Sequence, residues 1–239
     1  MNTQKWYDEE AKKWPKRREV AKIGVPDDKF EFVILKQTDT LRLNQWRASQ
    51  EDLPFYGEFG ERGEMIVRPE VALRLSEAAM KLAQMNPDWR LSVRETWRPK
   101  EIQRRQFEQQ IERLADVQDE ETRRDLAHNW IADPDIAGHP TGGAVDVEII
   151  SLQTGESIGF GTDYCNLDTP SSAMFAPDIS DEAKRNRMLL RSLMMNEGFL
   201  PFDGEWWHYD FGNKEWALQV GQDRALYSAV DPEQIKIID

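Results

Sequence analysis

The sequence predicts an α+β fold, on three observations. Stretches with helical spacing and short runs of β-branched and aromatic residues both occur. They do not alternate in the strand–helix–strand rhythm of a parallel α/β sheet. The 239 residues suffice for one large core, or one core with an elaborated end.

Residues 1–30 read as a charged leader with one short helix around 6–18, broken by Pro15 and ended near Gly24-Val25-Pro26. Residues 30–35 (FEFVIL) form the first strand. The stretch 44–63 carries Pro54, Gly57, Gly60 and Gly63 among aromatics, the composition of an ordered covering loop. Arg68-Pro69-Glu70 opens a helix whose inner stripe is Val71, Leu73, Leu75, Ala78, Ala79, Leu82 and Ala83, stopped by Asn86-Pro87-Asp88. Residues 89–94 form a strand. Pro99 starts another helix, with Ile102, Phe107, Ile111 and Leu114 inward, and a further charged helix runs to about residue 130.

Asp133-Pro134-Asp135 and Gly138 mark a loop leading into a strand over 144–150, and Thr154-Gly155 is a hairpin-type turn before a second strand at 157–160. The Asp-, Pro- and Ser-rich stretch 161–180 is long enough to be a functional loop. A helix over 183–196 turns Met188, Leu189, Leu193 and Met194 inward and closes at Gly198, a residue suited to a left-handed C-terminal position. Residues 199–202 and 206–211 are strand material, and the rest is a tail. Residues 1–64 are read as an N-terminal extension and candidate lid within the same unit, and 65–239 as the catalytic domain.

A net charge of −13 argues against nucleic acid, which demands accumulated Lys and Arg. It also weakens any attraction to an anionic membrane surface. Cys165 is the only cysteine, so no intrachain disulfide forms. No apolar run of signal-peptide or membrane-spanning length occurs, which makes a cytoplasmic location the expectation.

Two segments carry the chemistry: Gly138-His139-Pro140-Thr141-Gly142-Gly143-Ala144-Val145-Asp146-Val147 and Gly204-Glu205-Trp206-Trp207-His208-Tyr209-Asp210. Strand alternation sends Ala144, Asp146 and Glu148 to one face. A carboxylate among so many strand formers needs a partner, because an unpaired buried charge is costly. Glu205 and His208, three apart, would face opposite sides of a regular strand. Gly204 puts Glu205 at a turn, from which both side chains reach one cavity. Two imidazoles and a carboxylate, with a spare carboxylate as base, are the inventory of a catalytic zinc site. His128 is read as an ordinary surface or helix-end residue, and Glu148 as solvated.

The pattern His139-x-x-Gly142-x-Ala144-x-Asp146, followed by Glu205-Trp206-Trp207-His208-Tyr209, resembles the D-alanyl-D-alanine dipeptidases linked to vancomycin resistance. These are zinc D,D-peptidases that share a fold with the hedgehog signalling domain. Thr96-Trp97-Arg98-Pro99 resembles the family's aromatic-Arg-Pro segment, and the likeness covers about residues 65–212. It implies a central antiparallel sheet with helices packed on it and one Zn2+ per chain held by His139, Asp146 and His208. It further implies Glu205 as general base, Arg98 as oxyanion stabiliser, and a small peptide, D-Ala-D-Ala above all, as substrate. Two positions depart from the pattern. Ala137 stands where the family has a serine, and Cys165 where an aspartate helps hold the dipeptide's amino group. A neutral thiol is a poor partner for an ammonium, so a carboxypeptidase acting on longer cell-wall peptides is the nearest alternative. A non-catalytic zinc-containing binding module is the next, and a two-His-one-carboxylate Fe(II) oxygenase is the remote one. Neither a nucleic-acid nor a membrane partner is expected, and the sequence is silent on oligomeric state.

Overall fold

The computed structural model describes residues 2–26, 30–44 and 49–239. Its helices are α1 (Thr3–Glu10), α2 (Arg17–Val20), α3 (Glu58–Arg62), α4 (Pro69–Met85), α5 (Lys100–Arg113), α6 (Glu120–His128), α7 (Asp181–Asn196) and α8 (Lys214–Gln219). The strands are β1 (Glu31–Ile34), β2 (Leu41–Leu43), β3 (Ile66–Val67), β4 (Trp89–Glu95), β5 (Ala144–Ser151), β6 (Leu200–Pro201), β7 (His208–Asp210) and β8 (Lys236–Ile237). The class is α+β, as expected.

A five-stranded sheet in the order β2-β4-β5-β7-β6 forms the centre, antiparallel except for the parallel β2–β4 edge. β5 is its axis. Ala144 to Ile149 are buried on both faces, which explains a near-continuous apolar run where a one-sided strand would alternate. One face packs on α4, which Pro69 opens at a position where a missing N–H costs nothing. Val71, Leu75, Ala78, Ala79 and Leu82 are buried there. α7 lies beside α4, capped by the Ser180 side chain accepting the Ala183 N–H and ended at Gly198 with φ +81°. Two residues of the expected stripes point outward instead: Leu73 is 58% exposed and Met188 45%. Each lies on the far side of its helix from the buried set, Leu73 opposite Val71, Leu75, Ala78 and Leu82, and Met188 turned away from Leu190, Leu193 and Met194.

Several expected elements differ. The leader is not one helix but α1, a 3-10 turn at Ala11–Lys13, and α2 after Pro15. The second hairpin strand reduces to an isolated bridge between Ile150 and Ser157, because Gly159 (φ +89°) and Gly161 (φ +86°) turn the chain away. The C-terminal stretch is not a loose tail: β8 pairs in parallel with β1, and β3 completes a small second sheet. The covering loop contains a 3-10 turn at Leu53–Tyr56 and α3, while its residues 45–48 lie outside the described residues, as do Met1 and 27–29 of the leader. Among the described residues, no helix is long and apolar enough to cross a membrane.

Candidate metal centre

Three strands bring the chemistry together. β5 lies between β4 and β7, and Asp146 pairs across the sheet with His208 on one side and Glu95 on the other. A bulge between Val93 and Glu95 shifts the β4 register, which re-aims Glu95 toward Asp146. His139 enters from a 3-10 turn (His139–Thr141) that Gly142, at φ +71°, folds directly into β5. Glu205 stands off the end of β7, in the turn after Gly204.

His139, Asp146 and His208 each present a ligand atom within 4.8 Å of the others. His139 Nε2 lies 3.3 Å from Asp146 Oδ1, and His208 Nδ1 lies 3.0 Å from the same oxygen. The outward nitrogens define the tautomers. His139 Nδ1 donates to the Thr96 carbonyl at 2.7 Å, and His208 Nε2 faces Asp210 Oδ1 at 3.2 Å. Each ring therefore turns a lone pair inward, the arrangement in which a second partner orients a metal-ligating imidazole. Tyr164 donates its hydroxyl to Asp146 Oδ2 at 2.8 Å, which leaves Oδ1 to the centre. The site's field demands positive charge. Burial opposes ionisation, yet Asp210 and Asp146 hold the His208 imidazole well above its ordinary value. Against the same burial, His139 and His208 hold Asp146 well below the carboxylate range. A divalent cation held by His139, Asp146 and His208 would supply that charge in place of a proton, so the donor set fits a metal.

Glu205 Oε2 is 4.0 Å from His208 Nδ1, and its side chain is 15% exposed. Burial pushes its carboxyl upward, against the pull of His208. Arg98 is buried, its Nε 2.7 Å from Glu95 Oε1 and its Nη2 bonded to Glu95 Oε2. Its Nη1 donates to Gln103 Oε1 and Gln106 Oε1, each at 2.8 Å. Four of five guanidinium N–H groups are thus held, and one on Nη2 is left for a ligand.

These groups line one cavity of about 190 Å3 together with Trp207, Phe202, Cys165, Trp130, His128 and Glu215. Its walls are fixed from behind. Trp206 stacks on Phe160 at 4.2 Å and donates Nε1–H to Thr162 Oγ1 at 2.9 Å. Arg187, fully buried, donates to the carbonyls of Phe160, Ser171 and Ala173 and so pins the expected functional loop. From the leader, Tyr7 stacks on Trp130 at 4.6 Å and Trp14 meets Phe202 edge-on at 5.1 Å.

The five residues singled out from sequence (Arg98, His139, Asp146, Glu205 and His208) all line this cavity. Two readings are corrected. His128 ends a helix but is no surface residue: it is 5% exposed and faces the cavity, because α6 packs that side of its last turn inward. Glu148 is not solvated; it is 5% exposed and ion-paired to Arg94 at 2.8 Å. Glu95, Gln103, Gln106, Tyr164, Asp210 and Glu215 went unassigned. Asp210 had a signal, lying two residues past His208 on the same strand face; the glutamines had none.

Comparison with known proteins points to one family. The family profile described as D-ala-D-ala dipeptidase matches residues 56–226. A D-alanyl-D-alanine dipeptidase of Synechocystis is 24% identical over 193 residues, 69% of this chain and 76% of that relative. One from Enterococcus faecium is 38% identical over 73 residues, 30% of this chain and 36% of that protein. Among solved structures, the vancomycin-resistance D,D-pentapeptidase VanY, in complex with Zn(II), is 18% identical with a TM-score of 0.39, covering 68% of this chain and 82% of that one. The LD-carboxypeptidase LdcB is 16% identical with a TM-score of 0.42, covering 89% and 81%.

Proposed function

The chain belongs to the D-ala-D-ala dipeptidase family of M15 peptidases, and from that premise we propose that it is a zinc-dependent hydrolase of D-alanyl-D-alanine. The observation that carries the zinc assignment is the pair of inward imidazole nitrogens converging on Asp146 Oδ1, with both outward nitrogens facing acceptors. His139, Asp146 and His208 would hold the ion, one per chain. Bound zinc supplies Lewis acidity and lowers the pKa of water toward ~7.

The protein groups do the rest. Glu205 takes the proton from the attacking water at its carboxylate, a task that its raised affinity for protons suits, and returns it to the leaving amine. Arg98 offers its one unengaged Nη2 N–H where negative charge grows on the carbonyl oxygen. Glu95, Gln103 and Gln106 fix that donor in advance, so no reorganisation is needed as charge develops. Trp207 and Phe202 exclude bulk water from the cavity.

A second reading, carboxypeptidase action on longer peptides, is favoured by Cys165. Burial, and then Glu205, pushes its thiol up to about 12, so it is neutral and offers an amino terminus no charge. The deciding experiment is a panel of D-Ala-D-Ala, L-Ala-L-Ala and N-acetyl-D-Ala-D-Ala, assayed with zinc and after chelation. D-Ala-D-Ala turnover that chelation abolishes and zinc restores is expected. Glu205→Ala should retain zinc while kcat falls by about 10^3 or more. Turnover of the blocked substrate alone would move the assignment to the carboxypeptidase.

A further inference from the structure

Glu215 is a buried acid that the hydrolytic steps leave unused. It is 7% exposed, near the start of α8, and lines the same cavity as Glu205 and His208. α8 is anchored by Asn213, whose side chain accepts the Trp216 N–H, so the carboxylate is carried on a fixed turn. Among the described residues no hydrogen-bond donor reaches its oxygens, and its one neighbour within ion-pair range is His128 Nε2, 3.8 Å from Oε1. His128 Nδ1 accepts the Asp133 backbone N–H at 3.2 Å, so the ring's proton sits on Nε2. Burial draws that imidazole down to about 4, which leaves it neutral at pH 7 and without a charge to offer Glu215. Of the other charges nearby, Asp210 and Glu205 have the same sign as Glu215, and the His208 imidazole, already engaged by Asp146 and Asp210, has the opposite one. A carboxylate so placed needs a proton or a cation brought by a ligand.

We propose that Glu215 forms an ammonium-binding subsite for a primary amine of the peptide substrate. This rests on the peptidase reading above. A dipeptide enters with its amino terminus largely protonated, and the cavity must meet that charge. The acids lining the cavity are Glu95, Asp146, Glu205 and Glu215. Glu95 is taken by Arg98, Asp146 by the two imidazoles, and Glu205 handles protons. Cys165 is a neutral thiol. Glu215 therefore remains, with two free oxygens to accept from the three N–H donors of an ammonium. Ile131, Ala132 and Ala137 line the cavity too, and such apolar surroundings strengthen a charged pair. The same chemistry is presented by a dipeptide's α-amine or by a side-chain amine on a longer peptide.

The test is calorimetric binding to the full-length, zinc-supplied protein carrying Glu205→Gln, so that probes are not consumed. The probes are D-Ala-D-Ala, N-acetyl-D-Ala-D-Ala and Nα-acetyl-L-Lys-D-Ala-D-Ala. At least one ammonium-bearing probe should bind about tenfold tighter than the blocked dipeptide. Adding Glu215→Gln should erase that margin and leave the blocked dipeptide's affinity unchanged. A margin confined to D-Ala-D-Ala assigns the subsite to the α-amine; one confined to the lysyl peptide assigns it to a side-chain amine. Equal or absent binding of all three probes overturns the proposal, as does a margin that survives Glu215→Gln. The probe comparison needs no change at Glu215, so it decides the matter even where that variant does not fold. Turnover, measured separately with Glu205 intact, is independent: the ammonium preference without hydrolysis of any probe would sink the peptidase reading and leave the subsite standing.

Discussion

The surroundings of Arg98 show how much of the site's precision resides in side chains behind it, Gln103 and Gln106. Both Gln103 and Gln106 accept from its Nη1, and Gln103 is itself held by donating Nε2–H to the Ala132 carbonyl at 2.8 Å. Gln106→Leu removes one hydrogen bond to a charged group and frees the guanidinium to tilt. The expected result is a kcat about tenfold lower with zinc content unchanged, read by steady-state kinetics beside metal analysis. His128 makes a second residue-level prediction, on stability. Its folded-state imidazole titrates near 4, against an ordinary value of 6.5 in the unfolded chain. Between those values the unfolded chain takes up a proton that the folded chain refuses, so stability is fully present above pH 6.5 and declines as pH falls toward 4. The loss reaches about 3 kcal/mol across that window for this one buried group. Urea melts at pH 7 and pH 4.5 should show a shallower decline in His128→Gln than in the parent; equal slopes would refute this cause.

At the scale of elements, the centre depends on β5 lying between β4 and β7 and on the tight turn that feeds it. Gly138 precedes the turn, where a Cβ would stand 2.4 Å from both Asp210 Oδ1 and Asn213 Nδ2 and 2.8 Å from the Ala144 side chain. Such approaches force a shift, and the group forced is the acceptor that orients His208. Gly138→Ala should therefore weaken zinc affinity about tenfold or more, the usual cost of disturbing a ligand's supporting partner. Competition with a chromogenic chelator measures it, and unchanged affinity would show that Asp210 does not set the ring.

At the scale of the whole molecule, the leader is built into the site's outer wall. Tyr7 also donates its hydroxyl to the Asn129 carbonyl at 3.0 Å, and Arg17 pairs with Asp125 at 2.8 Å, which ties the first twenty residues to α6 and the loop after it. Trp14 is 6% exposed against Phe202, whose ring lies 6.4 Å from that of His208. Trp14→Ala leaves a cavity there, and about 3 kcal/mol of stability should be lost. KM for D-Ala-D-Ala should rise more than kcat falls, because the wall moves while zinc and base stay; denaturant melts and kinetics report the two effects separately.

Local rules sufficed for the elements that carry their own signals. Pro69 and Asn86 bound α4, Gly198 ends α7, and the apolar run 144–149 marks the central strand. Asp146 and His208 stand out in the sequence because unusual residue types stand in unusual company: a carboxylate within a strand, and an imidazole between aromatics. His128 and Glu148 were misread for a physical reason, since burial of a polar residue depends on what packs over it. A helix end looks the same in sequence whether solvent or a cavity faces it. Gln103, Gln106 and Glu215 belong to the same class. The amino-acid sequence by itself determined the α+β class, the family and the candidate metal-ligand residues, all properties of short segments. Only the tertiary structure decided which neutral and acidic side chains surround that set, because their partners lie in distant segments whose approach no local pattern encodes.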